Sequence, residues 1–158
     1  MGKLSSGCAM SPSPSPLEYA GDIASSEAWD MLTGDPKAQL VDVRTMAEWN
    51  FVGLPDLASL GRRVHCVEWQ NFPSMAANPE FVRETTGALE TAGAAKDTPV
   101  LFLCRSGARS RAAAMAMTRA GYHKAFNIAD GFEGDLDAER HRGQNKGWKA
   151  EGLPWKQS

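Results

Sequence analysis

Cysteine is scarce in this chain. The 158 residues hold three, Cys8, Cys66 and Cys104. They are scattered and odd in number, which excludes a disulfide framework and points to a reducing compartment, read here as the cytoplasm. Histidine is equally sparse: His65, His123 and His141 share no ligand spacing with the cysteines, so no metal site is expected. No apolar run is long enough to span a membrane. The first residues lack the apolar core of a secretory signal. Met1-Gly2-Lys3-Leu4-Ser5-Ser6 fits the N-myristoylation pattern, but that pattern is permissive and reads as chance. Neither charge dominates, since 17 basic and 19 acidic residues leave a net charge of −2. With no basic tract interleaved with aromatics, nucleic acid is not an expected partner.

The length suits one domain with a real core. Residues 1–16 are rich in Gly, Ser and Pro and read as a mobile tail, leaving 17–158 as the domain. Within it, apolar runs alternate with helical patterns. Glu18–Ile23 reads as a short edge strand, followed by a helix capped at Ser25 or Ser26 and ended by Gly34. Leu40–Val43 is a buried strand, after which Thr45 and Glu48 have capping-box spacing. Val64–Trp69 is the next strand and 70–77 a loop. Asn78-Pro79 opens a helix that buries Phe81, Thr85, Ala88, Leu89 and Ala92 and stops at Gly93. Val100–Leu103 is a strand, Ser110–Met117 a helix ended at Gly121, and Lys124–Ile128 a last strand. This alternation predicts an α/β fold, a roughly five-stranded parallel sheet with helices on both faces. Ligands bind such sheets beyond the carboxyl ends of the strands.

Cys104 lies at such an end. After it come Arg105, Ser106, Gly107, Ala108, Arg109 and Ser110. Strand, tight loop and helix start together aim backbone N–H groups and the positive end of the helix dipole at the loop. Two arginines add positive charge where a helix start disfavours it, a reason to expect an anion there. A cysteine in this setting is expected to be a thiolate nucleophile rather than a small buried hydrophobe. Arg105 is the better placed of the two arginines to meet substrate, and Arg109 to brace the loop. Gly107 supplies a backbone conformation or a close approach that a Cβ would obstruct. Ser106 points its hydroxyl at the anion or at solvent.

The run Cys104-Arg105-Ser106-Gly107-Ala108-Arg109, with Ser110 following, resembles the active-site loop of the rhodanese sulfurtransferases. Asp42-Val43-Arg44 with Glu48-Trp49 is similar to the Asp-Val-Arg and Glu-aromatic motif of that family. Gly131-Phe132 and Trp148 with Gly152-Leu153-Pro154 are similar to its C-terminal signature. The resemblance spans Tyr19 to Trp155. It implies a rhodanese-like fold and a thiosulfate-type sulfurtransferase activity with a persulfide on Cys104. The implied donor is a small sulfur-containing anion, and the implied acceptor is a thiol, cyanide or a sulfur-acceptor protein. No metal or organic cofactor is implied. Asp42 and Arg44 would support the loop. The alternatives are a sulfur-relay or protein-binding module, and a cysteine-dependent phosphatase or arsenate reductase. Related cell-cycle phosphatases have a loop one residue longer, but Ser110 stands where that register needs arginine. Leu103 stands where a tyrosine phosphatase would carry histidine.

Two stretches depart from the family pattern. The usual Gly-His-Ile-Pro-Gly-Ala segment is replaced by Val52-Gly53-Leu54-Pro55-Asp56-Leu57, without the histidine. A charged segment at 133–147, including Arg140, His141, Arg142 and Lys146, intervenes before Trp148. It reads equally as a solvated loop and as a lid or docking loop. Cys66, inside an apolar strand, reads as core rather than as a resolving thiol. The tryptophans read as core or rim anchors, with Trp69 placed to line the pocket.

Overall fold

The structure is a computed structural model and describes residues 18–134 and 147–157. The tail at 1–16 and most of the charged segment, including Arg140, His141, Arg142 and Lys146, lie outside the described residues. In chain order the elements are β1 (Gly21–Ile23), α1 (Ser25–Gly34), β2 (Gln39–Asp42), α2 (Met46–Phe51) and β3 (Leu54–Pro55). After a 3-10 turn at Ala58–Leu60 come β4 (His65–Cys66), β5 (Gln70–Asn71), β6 (Ala76–Ala77) and α3 (Phe81–Thr91). The chain continues with β7 (Val100–Leu103), α4 (Ala108–Arg119), β8 (Ala125–Ile128) and β9 (Trp155–Lys156). Five strands pair in parallel in the order β1-β8-β7-β2-β4.

The central strand shows why this sheet is covered twice. All four residues of β7 are buried. Because strand side chains alternate, Val100 and Phe102 join one apolar cluster with Phe81 and Leu89 of α3 and Ala113 and Met117 of α4. Leu101 and Leu103 join the other, with Ala28 and Leu32 of α1, Phe132 and Trp148. A parallel sheet buried on both faces needs such a continuous apolar strand rather than an alternating one. The expected α/β class and five-stranded parallel sheet are therefore what the chain adopts.

Several local expectations give way to side-chain competition. Ala24, not a serine, precedes α1, and Glu27 accepts its N–H at 2.9 Å. Ser25 is drawn instead to Asp130, whose Oδ1 accepts both its N–H (2.9 Å) and its hydroxyl (2.8 Å). Helix α3 starts at Phe81, not at Pro79, because Asn78 caps from further back: its Oδ1 accepts the Glu80 N–H, and its Nδ2 donates to the Glu68 carbonyl. Ala92 is exposed and Ala88 only half-buried, so the buried face of α3 is Phe81, Thr85 and Leu89. The expected loop at 70–77 is the hairpin β5–β6. The expected strand at 64–69 shrinks to β4 at the sheet edge, which leaves Cys66 exposed rather than in the core. The box at Thr45 forms as its spacing predicts: Thr45 Oγ1 accepts the Glu48 N–H, and Glu48 Oε1 accepts the Thr45 N–H.

Candidate functional site

The site is built at the carboxyl end of β7. Cys104 is buried and leaves the strand directly into the turn. Helix α4 begins at Ala108, two residues earlier than its alanine-rich pattern predicts, so Arg109 stands in the first helical turn rather than in the loop. Gly107 precedes the helix with φ +112, where an L side chain is strained, and a Cβ there would lie 2.4 Å from the Ala129 carbonyl oxygen. Both reasons for glycine thus apply. The turn aims the Gly107 N–H at the Cys104 sulfur, 3.1 Å away.

The loop is held from behind. Phe132 N–H donates to the Cys104 carbonyl at 2.8 Å, and Glu133 and Gly134 N–H both donate to the Arg105 carbonyl. This approach is close enough that a Cβ on Gly131 would fall 2.3 Å from the Arg105 oxygen. Phe132 in turn is capped by Arg44, whose guanidinium carbon sits 4.2 Å from the ring centroid. Arg44 is wholly buried with Asp42, Nη2 to Oδ2 at 2.7 Å, and also donates to the Gly53 carbonyl at 2.7 Å. Burial disfavours charge on Arg44, but the Asp42 carboxylate outweighs it and raises the guanidinium above its ordinary value. The Asp42–Arg44 pair thus reaches the loop through Phe132.

Arg109 is fixed by a bidentate pair with Glu48, at 2.8 and 2.9 Å. Burial alone would raise the Glu48 carboxyl; the Arg109 fork and the Thr45 N–H overcome it and hold it at about 2. Glu48 therefore does two jobs, capping α2 and tying it to the first turn of α4. Arg105 is exposed and has no side-chain partner among the described residues. It borders an open groove of about 520 Å³ with Val52, Gln70, Phe72, Met75 and Glu133. Trp69 does not line it. It packs edge-on against Phe81, ring centroids 4.9 Å apart, and the β5–β6 hairpin takes the place expected for it. Ala108 is exposed and Ser106 half-buried.

Ser110 is wholly buried against Cys104, its Oγ 3.2 Å from Cys104 Sγ. The same oxygen lies 2.5 Å from Asn127 Oδ1 and 3.2 Å from the Gly107 carbonyl. Asn127, on β8, was not singled out in the sequence. Neither was Asp22, which accepts from Asn127 Nδ2 at 2.9 Å. Cys66 stands apart from this cluster, on a separate groove with Met46, Trp49 and Glu68. Although its surface is exposed, protein packed behind it and the Asp42 carboxylate push its thiol up to about 12. Among the described residues no group of three or more His, Cys, Asp or Glu side chains could hold a metal ion. No helix there is long and apolar enough to cross a membrane.

Comparison with known proteins agrees with this architecture. The crystal structure of Rv0390 from M. tuberculosis is similar with a TM-score of 0.79 and 52% identity, covering 89% of this chain and 99% of that one. The uncharacterized protein RC0915 of Rickettsia conorii is 38% identical over 135 residues, 85% of this chain and 95% of its own length. The polysulfide-sulfur transferase homodimer of Wolinella succinogenes, at 20% identity, shares the fold: TM-score 0.56, 87% of this chain and 78% of that one. The family described as the STR4 middle domain matches residues 20–158. By that match and by these relatives, the chain belongs to the STR4 middle domain family and has a rhodanese-like fold.

Proposed function

We propose that the protein is a sulfurtransferase that carries a sulfane sulfur on Cys104. The observation that carries this reading is the placement of the Cys104 sulfur at the start of α4, 3.1 Å from the Gly107 N–H and flanked by Arg105 and Arg109. The thiolate attacks the outer sulfur of thiosulfate. The S–S bond of the donor breaks, sulfite leaves with its electron pair, and Cys104 keeps a persulfide with one negative charge. Backbone N–H groups and the helix dipole stabilise that charge. A thiophilic acceptor such as cyanide or a thiol then takes the terminal sulfur and returns the thiolate, giving ping-pong kinetics. The Wolinella protein of the same fold is named a polysulfide-sulfur transferase, which supports sulfur as the transferred group.

A relay in which the acceptor is a protein is favoured by a specific feature. Phe72 and Met75 are 48% and 42% exposed on the groove that holds Arg105. Exposed apolar side chains grouped at a reactive site mark contact surfaces. The test of the core reading is direct. Incubation with thiosulfate should add one sulfur atom to the Cys104 peptide by mass spectrometry, and cyanide should remove it with formation of thiocyanate. An unloaded Cys104 after exposure to both thiosulfate and an organic persulfide would overturn the proposal.

A further inference from the structure

The polar chain behind the nucleophile has a feature that its individual bonds do not reveal. The Ser110 hydroxyl has one proton and three acceptors around it: Cys104 Sγ at 3.2 Å, the Gly107 carbonyl at 3.2 Å and Asn127 Oδ1 at 2.5 Å. Ser110 is wholly buried and Asn127 is 1% exposed, so water does not compete. Which way the proton points depends on which end of the Asn127 amide faces Ser110. That choice is made further out. Asp22 sits opposite Asn127 in the β1–β8 register, and its carboxylate accepts but cannot donate, so the amide must turn its NH2 to Asp22 at 2.9 Å. The oxygen end then faces Ser110 and takes the proton at the shortest of the three distances. Tyr19 OH donates to the same Asp22 oxygen at 2.8 Å and helps fix it.

We infer that Asp22 and Asn127 are positioning residues that hold the Ser110 proton away from the Cys104 sulfur. The sulfur then meets the Gly107 N–H on one side and a hydroxyl lone pair on the other. A thiolate bonded to fewer donors is the better nucleophile, since nucleophilicity falls as a thiol is made more acidic. The inference rests on Cys104 being the nucleophile, as proposed above, but not on sulfur being what it transfers.

The charged groups around Cys104 set the controls. Arg105 and Arg109 flank it, with Glu48 paired to Arg109. The Asp42–Arg44 pair ends β2, Glu133 lies behind the loop, Asp130 follows β8, and Arg111 of α4 lies near Tyr19. All of these remain in every variant below, so their fields cancel in the comparison. Asp22→Asn removes the charge and also the constraint on the Asn127 amide, because an amide at 22 can donate to Asn127 Oδ1 as well as accept. Asp22→Ala removes the charge and the acceptor together. With no acceptor at 22, the amide is free to turn its NH2 to Ser110, and the hydroxyl then donates to the sulfur.

The experiment is the pH profile of iodoacetamide alkylation, followed by mass spectrometry at the Cys104 peptide of the full chain. Asp22 is exposed on an edge strand, so its variants should fold, with circular dichroism as the check. Asp22→Ala should move the midpoint to lower pH by about one unit and lower the high-pH plateau rate about threefold. Asp22→Asn, which no longer forces the Asn127 NH2 outward, should move the midpoint in the same direction. In a Ser110→Ala background, Asp22→Ala should produce no shift. An Asp22→Asn shift of the same size with and without the Ser110 hydroxyl would assign the effect to charge alone and overturn the inference. So would an unmoved Asp22→Ala profile, or a shift that persists without the Ser110 hydroxyl. Persulfide loading with thiosulfate, run on the same samples, separates this result from the fate of the sulfur-transfer proposal.

Discussion

Replacing Glu48 by Gln removes one charge from the fork that joins α2 to the first turn of α4. Arg109 then keeps at most one good acceptor of the two it holds at 2.8 and 2.9 Å. The carboxyl lies at about 2 in the folded protein against an ordinary value of 4.5. Converted at about 1.4 kcal/mol per pH unit, that shift sets a ceiling of about 3–4 kcal/mol. The two side chains are each 19% exposed, so solvent screening brings the expected loss nearer to about 1–2 kcal/mol, between a surface pair and a buried one.

The pH dependence gives the sharper test. A carboxyl held below its ordinary value contributes its stability above that ordinary value and loses it as pH falls toward the folded one. The gap between unaltered protein and Glu48→Gln should therefore be flat from pH 7 to 5. It should shrink below pH 4.5, be more than half gone by pH 3, and close near pH 2. Urea unfolding at a series of pH values measures it, and differences between the two proteins cancel the titration of every other carboxyl. A gap that stays constant down to pH 3 would show that the fork is not held by charge. No gap at pH 7 would show that it contributes nothing. If the fork positions the loop, kcat/KM for sulfur transfer should also fall, on the order of tenfold, because small displacements at a reacting centre are costly.

Other outcomes follow from the same geometry. Gly107→Ala should cost about 1–3 kcal/mol and abolish sulfur transfer, since φ +112 is strained for alanine and the added carbon meets the Ala129 carbonyl at 2.4 Å; a stable, fully active variant would refute the loop geometry. Cys104→Ser should fold normally and lose all turnover with thiosulfate, because a hydroxyl cannot carry a persulfide. Cys66→Ser should keep its activity: at about 12 the thiol is protonated at neutral pH and sits on a different groove. A large loss of turnover in a well-folded Cys66→Ser protein would restore a resolving role. The purified protein should hydrolyse aryl phosphates negligibly, and a phosphatase rate that vanishes in Cys104→Ser would replace the sulfurtransferase reading.

What was legible in the sequence depended on how local the cause was. The apolar run Val100–Leu103 declares a buried parallel strand because every position must be apolar when both faces are covered. The Thr45–Glu48 spacing declares its helix start because partners three residues apart are enough to make a box. Errors appear where a distant residue outbids the local pattern. Ser25 looks like a cap, but Asp130, 105 residues away, takes its hydroxyl. Pro79 looks like a helix start, but Asn78 is already committed to the Glu68 carbonyl and delays the helix to Phe81. Cys66 looks like core because its neighbours are apolar, yet β4 lies at the sheet edge, which only the strand order reveals.

The candidate site divides along the same line. Cys104, Gly107 and Arg109 lie within one turn, so the sequence lays out their chemistry in order. Asn127 and Asp22 reach the sulfur only through the strand order β1-β8-β7, each one strand further from Cys104. Nothing in Ala125-Phe126-Asn127-Ile128 distinguishes a buried amide serving the site from one that caps a turn. The only local hint is that asparagine is costly inside an otherwise apolar strand unless both ends of its amide are satisfied. Here they are, by Ser110 on one side and Asp22 on the other, so Asn127 meets the ordinary requirement of a buried polar group and in doing so fixes the direction of a proton beside the sulfur.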